Sequence, residues 1–388
     1  MSRNTAALTL TSVSHFINDG NTIVLPVLYT FLVKELGFSN FMVGVTAGVF
    51  SAVSAVAAPG VAAMSSRDVS RFMGLGILCW GVGLIALGYS VSSHVTSLVL
   101  ASVAIAGFSS AFYHPLGAAI LSLTFEGRAG TAMGVNGSMG SVGRALYPTI
   151  TLLLFSLTKA MPTVLYLLGA VSIASSIPSL TSTLGAMVGQ GSNSIKERTP
   201  MGVVSLLTAI SLLRSSFQQG VTQFLPTLLV TYFGFKYDVG LGGVLSATLA
   251  AAIVGQPLFG LMSDRFGRRL LFALAGAGSL ASFFAFVAYP SLIWLVLFGV
   301  FTYSGFPITL SLVGDLVPRN STGLSNSLVW GVGVSGGGAL GPVLVGLMSS
   351  SLGLLNSTMV LAVLGAAASL LVLKVPKPPK RSKVPLFG

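Results

Sequence analysis

The sequence predicts an all-α membrane protein with twelve transmembrane helices, arranged as two pseudo-symmetric six-helix bundles. Its 388 residues are 53% hydrophobic and 7% charged, with a mean hydropathy of +0.90. A soluble domain has about 25% charged residues, so nearly all of this chain is expected in lipid. Apolar runs of roughly 20 residues, the length of a membrane-spanning helix, recur along the chain. Segments of the first half also recur about 200 residues later.

The apolar runs predict six helices on each side of a polar, Gly- and Ser-rich stretch. In the first half we expect helices at 5–33, 40–63, 71–91, 95–121, 129–156 and 161–183. In the second half we expect them at 201–233, 239–262, 270–289, 291–315, 321–350 and 353–373. The predicted units are an N-terminal bundle over 1–183, a cytoplasmic linker over 184–200, a C-terminal bundle over 201–373 and a basic cytoplasmic tail over 374–388.

The basic residues predict which side of the membrane each loop occupies. If the N-terminus is cytoplasmic, three basic residues fall outside the cell: Lys34, Lys159 and Lys236. Fifteen fall inside: Arg3, Arg67, Arg71, Arg128, Lys196, Arg198, Arg265, Arg268, Arg269, Arg319, Lys374, Lys377, Lys380, Arg381 and Lys383. Cytoplasmic loops carry such an excess, so we expect both termini inside, in the inner or plasma membrane of the cell. The net charge of +12 belongs to this asymmetry and does not indicate a nucleic-acid surface.

Two segments of the first half recur in the second half. NDGNTIVLPVL at 18–28 matches QQGVTQFLPTL at 218–228, and GSVGRALYP at 140–148 matches VSGGGALGP at 334–342. The similar offsets predict two related halves around a central cavity, an arrangement typical of secondary transporters.

Asp19 lies about 14 residues into the first predicted helix, near the middle of the membrane. A charged group at that depth is costly, so it normally faces a cavity and serves a function. We expect Asp19 to carry a coupling proton, with His15 one turn away tuning it and His114 beside Pro115 as a second candidate. The alternative is a structural acid that Arg144 or Arg214 neutralises, and a histidine that only orients its neighbours.

Polar side chains in other helices complete the candidate binding site. Arg144 and Arg214 both lie near mid-helix, and arginine is always charged, so each needs a carboxylate or a water-filled cavity. Arg214, Gln218 and Thr222 form a four-spaced stripe, with Gln219 beside it, which we expect to face the cavity. Because one carboxylate cannot neutralise two arginines, an anionic substrate group is favoured. The expected substrate-binding residues are Asn18, Arg144, Arg214, Gln218, Gln219 and Thr222.

The stretch GLMSDRFGRR at 260–269 predicts a tight loop that acts as a gate. Gly267 allows a sharp turn, and Asp264 can cap the start of a helix. Arg265 and Arg268 are expected to reach a carboxylate across the interface, with Asp315 as the candidate partner.

These segments resemble the major facilitator superfamily. The string G-x-x-x-D-R-x-G-R-R is similar to the signature loop of that family, and its usual first copy is degraded at 60–71, where Met64 replaces an aspartate. The resemblance implies the major facilitator fold and transport by alternating access. Within the superfamily, three segments look like the fosmidomycin-resistance branch of drug exporters. They are HFINDGNTIVLPVLY at 15–29, FSSAFYHPLGAAI at 108–120 and GTAMGVNGSMGSVGRALYP at 130–148. Leu116 stands where that branch has an acidic residue, and Tyr147 replaces the glycine usual in the antiporter motif.

The sequence lacks the common motifs of metalloenzymes, nucleotide-binding proteins and metal-binding proteins. It contains no HExxH, no Walker loop and no Cys/His ligand cluster, so we expect neither an enzyme nor a cofactor or metal site. The single Cys79 excludes an intrachain disulfide, and the first apolar run lacks the cleavage pattern of a signal peptide. The expected partners are a small-molecule substrate, the proton and the lipid bilayer, with no nucleic acid, for a chain that acts as a monomer.

We therefore expect a secondary active transporter for a small organic solute, anionic or amphiphilic and drug-like, that works as a proton-coupled antiporter and exporter. Export rests on the resemblance alone. The alternative is a proton symporter or a uniporter that imports an organic anion or a nutrient. An intramembrane enzyme or a non-transporting receptor is a second class, and an enzyme would need paired catalytic groups that only Asp19 with a histidine offers.

Overall fold

The computed structural model describes residues 2–63, 68–125, 128–182, 199–318, 321 and 325–377. Several predictions fall outside these residues: most of the linker, most of the basic tail, and Met64 in the degraded motif copy. Seven basic residues assigned to the cytoplasm also lie outside them: Arg67, Lys196, Arg198, Arg319, Lys380, Arg381 and Lys383.

The described part of the chain is all-helical, and the predicted fold class of twelve helices in two halves is confirmed. The first half contains α1 (Arg3–Leu36), α2 (Asn40–Ala63), α3 (Val69–Ser92), α4 (Thr96–Thr124), α5 (Ala129–Thr158) and α6 (Met161–Thr181). The second half contains α7 (Met201–Thr231), α8 (Val239–Phe266), α9 (Arg268–Ala288), α10 (Leu292–Leu316), α11 (Ser327–Leu352) and α12 (Leu354–Leu371).

Eleven of the twelve described helices are long and apolar enough to cross a membrane. The exception is α5, whose first half, AGTAMGVNGSMGSVGR, is rich in glycine and polar residues. This helix packs along α1, and two of its polar residues, Asn136 and Ser141, are buried within the protein.

α11 begins with a π-helical segment, Ser327–Ser335, and continues as an α-helix. The segment lies against α7: the Ser215 hydroxyl donates to the Val334 carbonyl at 2.6 Å. Gly333 sits directly over the α7 backbone at Thr208, where a side chain would not fit. Wider π turns recur at functional sites because they redirect the side chains around them.

The predicted loop at 260–269 is wrong, because α8 continues to Phe266 and α9 begins at Arg268. Only Gly267 lies between the two helices, with φ of +100°, a conformation that favours glycine. Asp264 is therefore in the last turn of α8 and does not cap a helix start.

The two halves contact each other on the side of the protein where α1 and α7 end. The Thr30 and Thr227 hydroxyls are 3.0 Å apart, and the Thr149 and Ser246 hydroxyls are 2.8 Å apart. The hydroxyl of Tyr237 donates to the backbone of α1. At the same level, α2 packs on α11, and glycines of both helices lie against the backbone of the partner helix. The halves are thus closed together on this side.

A disulfide across this contact tests whether the halves separate there. Thr30→Cys with Thr227→Cys, in a Cys79→Ser background, places two thiols where hydroxyls now touch, so oxidation should join them. If the halves move apart on this side during each cycle, oxidised protein should lose transport and a reductant should restore it. The two single-cysteine variants are the controls. If the oxidised double variant transports as well as the reduced form, the halves do not separate at this contact.

The orientation in the membrane is tested by labelling single cysteines in the same Cys79→Ser background. Ser2 and Ser92 are both exposed and lie at opposite ends of their bundle. With the N-terminus inside, a membrane-impermeant maleimide should label Ser92→Cys in intact cells and Ser2→Cys only after permeabilisation. The reverse pattern would overturn the predicted topology.

Candidate functional site

Asp19 is the centre of a buried polar cluster formed by α1, α4 and α5. The residue is buried, and its carboxylate pairs with the guanidinium of Arg144 through Oδ2. His15 Nε2 is 3.2 Å from the same oxygen. On the other oxygen, Oδ1, Asn18 Nδ2 donates at 3.0 Å and His114 Nε2 lies at 3.6 Å. We call Asp19, His15, Asn18, His114 and Arg144 the Asp19 cluster.

Glycines allow α5 to come close enough to α1 for this pairing. A Cβ at Gly140 would overlap the imidazole of His15, and a Cβ at Gly143 would overlap the carbonyl of Phe16. In the other direction, Gly20 of α1 makes room for the ring of Tyr147. Close backbone approach through small residues is the usual way that membrane helices pack. Gly134 and Gly137, which continue the same spacing, face open space.

The geometry around His15 assigns one of its ring protons. Nδ1 is 2.9 Å from the backbone carbonyl of Asn136, which can only accept, so Nδ1 carries a proton. The same side of the ring faces Asn136 Oδ1, which accepts from the Tyr113 hydroxyl at 2.6 Å. The other ring nitrogen, Nε2, faces Asp19 Oδ2.

Asn18 is held in position by α3. The indole N–H of Trp80 donates to Asn18 Oδ1 at 2.9 Å, which turns the amide nitrogen toward Asp19. Trp80 itself is fully buried. The donor that faces Asp19 is thus fixed by a large side chain in the core of the first half.

Two side chains of the Asp19 cluster are partly exposed, although Asp19 itself is buried. The side chain of His114 is 56% exposed and that of Arg144 is 23% exposed, against 4% for Asp19. Both groups contact the buried carboxylate and are themselves partly exposed. His114 is placed beside the Asp19 carboxylate, with its Nε2 3.6 Å from Oδ1. Arg144 is suited to bind an anion.

The three titratable groups also have the spacing of a metal site. Ligand atoms of His15, Asp19 and His114 all lie within 4.8 Å of one another. However, Arg144 occupies the same Asp19 oxygen that faces His15. A divalent cation there would add two positive charges beside a guanidinium that never loses its own. The donor set fits a proton and an ion pair better than a metal.

Arg214 and Gln218 do not line a cavity between the halves, contrary to the stripe that the sequence suggested. Both turn into the second half and donate to the Thr302 carbonyl of α10. Arg214 is 7% exposed, and its guanidinium lies 4.5 Å from the ring centre of Phe272. Among the described residues it has no carboxylate partner. The physical reason is that α7 packs with this face toward α10, so the arginine finds carbonyl acceptors there.

Gln219 and Thr222 lie on another face of α7. The Thr222 hydroxyl and Gln223 Nε2 both donate to Gln219 Oε1, at 3.5 Å and 3.2 Å. Gln219 also borders Gly338 of α11, next to Ser51 of α2. Among the predicted binding residues of the second half, Gln219 is therefore the one that lies where the two halves meet.

The predicted gate residues form a network within the second half. Arg268 is 3.0 Å from Asp264 and also pairs with Asp315 at the end of α10. Its guanidinium donates to Ser263 as well, at 3.3 Å. Arg265 instead lies over the ring of Phe266, at 5.4 Å from its centre. These contacts join α8, α9 and α10 to one another and not to the first half.

Sequence reasoning missed three residues that support the site: Trp80, Tyr113 and Asn136. Asn136 is buried within a membrane helix, which is a costly place for an amide, and that position is a signal comparable to Asn18. Trp80 and Tyr113 gave no such signal, because buried aromatic residues are common in any core. Only their contacts reveal that each positions a polar partner.

The fold is shared with solved transporters of low sequence identity. A crystal structure of a bacterial homologue of the human lysosomal transporter Spinster, inward-facing and unoccupied, is 17% identical with a TM-score of 0.78, over 98% of this chain and 100% of that one. The occupied, inward-facing form is 15% identical with a TM-score of 0.78, over 95% and 96%. A mutant of the nucleoside transporter NupG is 13% identical with a TM-score of 0.79, over 97% and 100%.

The family model described as Major Facilitator Superfamily matches residues 11–247 and 208–388, which together cover nearly the whole chain. No curated protein matches the chain by sequence. The overlapping matches agree with the two related halves of the fold. This protein belongs to the major facilitator superfamily, and it is a membrane transporter and not an enzyme.

Proposed function

We propose that this transporter couples the movement of a small organic anion to a proton, and that the Asp19 cluster performs the coupling. The observation that carries the proposal is the pairing of Arg144 with the buried carboxylate of Asp19. The guanidinium is the group best suited to bind an anionic substrate, yet it is already occupied. An anion that takes Arg144 leaves the Asp19 carboxylate without its counter-ion.

The cluster then takes up a proton to replace the lost positive charge. Two groups can receive it: the shared position between His15 and Asp19, 3.2 Å apart, and the exposed ring of His114. When the anion leaves, Arg144 returns to Asp19 and the proton is released. Binding of the anion and binding of the proton therefore favour each other, as linkage requires.

The sense of the coupling separates the two functions that the sequence left open. Similarity to the fosmidomycin-resistance branch supports an antiporter that exports a drug-like solute. The Arg144–Asp19 contact favours the alternative, a proton symporter for an organic anion, because the two ligands would travel together. A transport assay with an imposed pH gradient distinguishes the two functions. A symporter accumulates the anion on the alkaline side of the membrane, and an antiporter accumulates it on the acidic side.

The remaining contacts support alternating access between the halves. If both termini are cytoplasmic, the closed contact at Thr30 and Thr227 would lie on the outer side of the membrane. We assign the network of Asp264, Arg268 and Asp315 to the inner gate, where it would hold the ends of α8, α9 and α10 as one unit as the second half rocks. Arg265 and Gly267 belong to the same turn. Arg214 and Gln218 would tie α7 to α10 in that unit.

Asp19→Asn tests the coupling. It leaves a neutral group that cannot release a proton and frees Arg144, so anion exchange across proteoliposomes should persist while accumulation driven by a pH gradient is lost. In the parent protein, affinity for the anion should rise as pH falls, by about tenfold per pH unit at most for one linked proton. The variant should show almost no such dependence.

Asp238→Asn is the matched control, because it removes a carboxylate that only caps α8 and asparagine caps equally well. It should retain both accumulation and pH dependence. If Asp19→Asn still concentrates the anion in response to the gradient, Asp19 is not the coupling group and His114 takes its place in the proposal.

A double-mutant cycle tests the ion pair itself. Asp19→Asn and Arg144→Gln should each lower the temperature of unfolding, since each leaves one buried partner unpaired. The double variant should be less destabilised than the sum of the two single-variant effects, with a coupling energy on the order of 1–3 kcal/mol. Additive effects would show that the two side chains do not depend on each other.

A further inference from the structure

Basic side chains gather where α9 begins and α12 ends. The guanidinium of Arg269, in the first turn of α9, donates through Nη2 to the backbone carbonyl of Leu373. Leu373 belongs to the 3₁₀ turn Val372–Lys374 that follows α12. Lys374 is therefore next to the group that Arg269 contacts, and Lys377 follows three residues later. We call Arg269, Lys374 and Lys377 the α9–α12 rim.

The rim is anchored to the core of the second half. Val372 and Val375 are buried, and both belong to the apolar cluster that includes Leu271 of α9. These two valines lie on either side of Lys374 and hold the chain against the bundle. Lys374 and Lys377 are exposed, so their ammonium groups extend from a fixed backbone at the surface.

The positive charge of the rim has no acidic partner in the described part of the chain. None of its ion pairs includes a rim residue. The acidic residues at the ends of α8 and α10, Asp264 and Asp315, both pair with Arg268 instead. A negatively charged ligand at the rim therefore meets three basic groups that no carboxylate neutralises.

Exposed leucines lie directly beside the rim. Leu270 is the neighbour of Arg269 on α9. Leu370 and Leu373 lie one turn apart where α12 ends, just before Lys374. All three leucines are exposed. In a membrane protein, lipid tails cover such leucines, because the tails are as apolar as the side chains. The molecules that touch this surface are therefore lipids, and their head groups lie near the basic residues.

We propose that the α9–α12 rim binds an anionic phospholipid, with its phosphate on the three basic groups and an acyl chain along the three leucines. Basic pockets between membrane helices bind anionic head groups in this way. A zwitterionic lipid makes the same apolar contact without the net attraction. The start of α9 and the end of α12 lie on the side of both termini, which we expect in the cytoplasm, and the cytoplasmic leaflet is the one that carries anionic lipids.

Thermal unfolding of the full chain in maltoside detergent tests the proposal, because a ligand of the folded state raises the unfolding temperature. Dioleoyl phosphatidylglycerol should act at much lower concentrations than dioleoyl phosphatidylcholine, which has the same acyl chains. At low salt the expected preference is on the order of 100-fold, since each of three basic side chains contributes about fivefold. Glycerol 3-phosphate, which lacks acyl chains, should leave the unfolding temperature unchanged at the same concentrations.

Variants assign the preference to the rim. Lys374→Gln with Lys377→Gln alters two exposed side chains, so the fold should be retained, and the preference for phosphatidylglycerol should fall about 25-fold. The matched control is Lys34→Gln with Lys159→Gln, which removes two exposed lysines at the opposite ends of α1 and α5. This control should keep the full preference.

Three results would overturn the proposal. The first is equal affinity for the two phospholipids in the parent protein. The second is a loss of preference in the control as large as the loss in the rim variant, which would reflect net charge and not a site. The third is stabilisation by glycerol 3-phosphate that matches stabilisation by phosphatidylglycerol, because the rim would then bind a soluble phosphate and not a lipid.

Discussion

The ion pair between Asp19 and Arg144 is the interaction on which the rest of the site depends. A carboxylate buried near mid-membrane is unstable without a counter-ion, and α5 can supply one only by approaching α1 closely. Gly140 and Gly143 make that approach possible. The same approach brings His15 against Asn136, which orients the imidazole. One electrostatic requirement therefore explains the glycines, the histidine and the polar first half of α5.

The two halves share a fold but divide the chemistry between them. In the sequence repeats, Gln219 takes the place of Asp19 and Gly338 takes the place of Arg144. A Cβ at Gly338 would come 3.6 Å from Gln219 Cγ, so the two positions remain neighbours in the second half without charge. The second half places its own arginine, Arg214, against carbonyls of α10. The pairing of a buried acid with an arginine at these repeated positions thus occurs in the first half and not in the second.

The contacts within the second half differ in kind from the contacts between the halves. Within the second half, Arg268 ties α8 and α9 to the end of α10, and Arg214 ties α7 to the middle of α10. Between the halves the hydrogen bonds use uncharged groups, such as the Thr30 and Thr227 hydroxyls and the Tyr237 hydroxyl with the Val27 carbonyl. Neutral bonds of this kind contribute about 1 kcal/mol each and are readily exchanged for water. The contacts described between the halves are thus weaker than the charged contacts within the second half.

The sequence by itself determined the twelve spans, the two related halves and the depth of Asp19, because hydropathy, charge and repeated motifs are properties of the chain alone. It did not determine which arginine pairs with Asp19 or where the stripe on α7 faces. The rotation of a membrane helix about its axis is set by packing against its neighbours, and lipid-exposed and buried faces are both apolar. Only the tertiary structure therefore decided that Arg144 meets Asp19 and that Arg214 turns to α10.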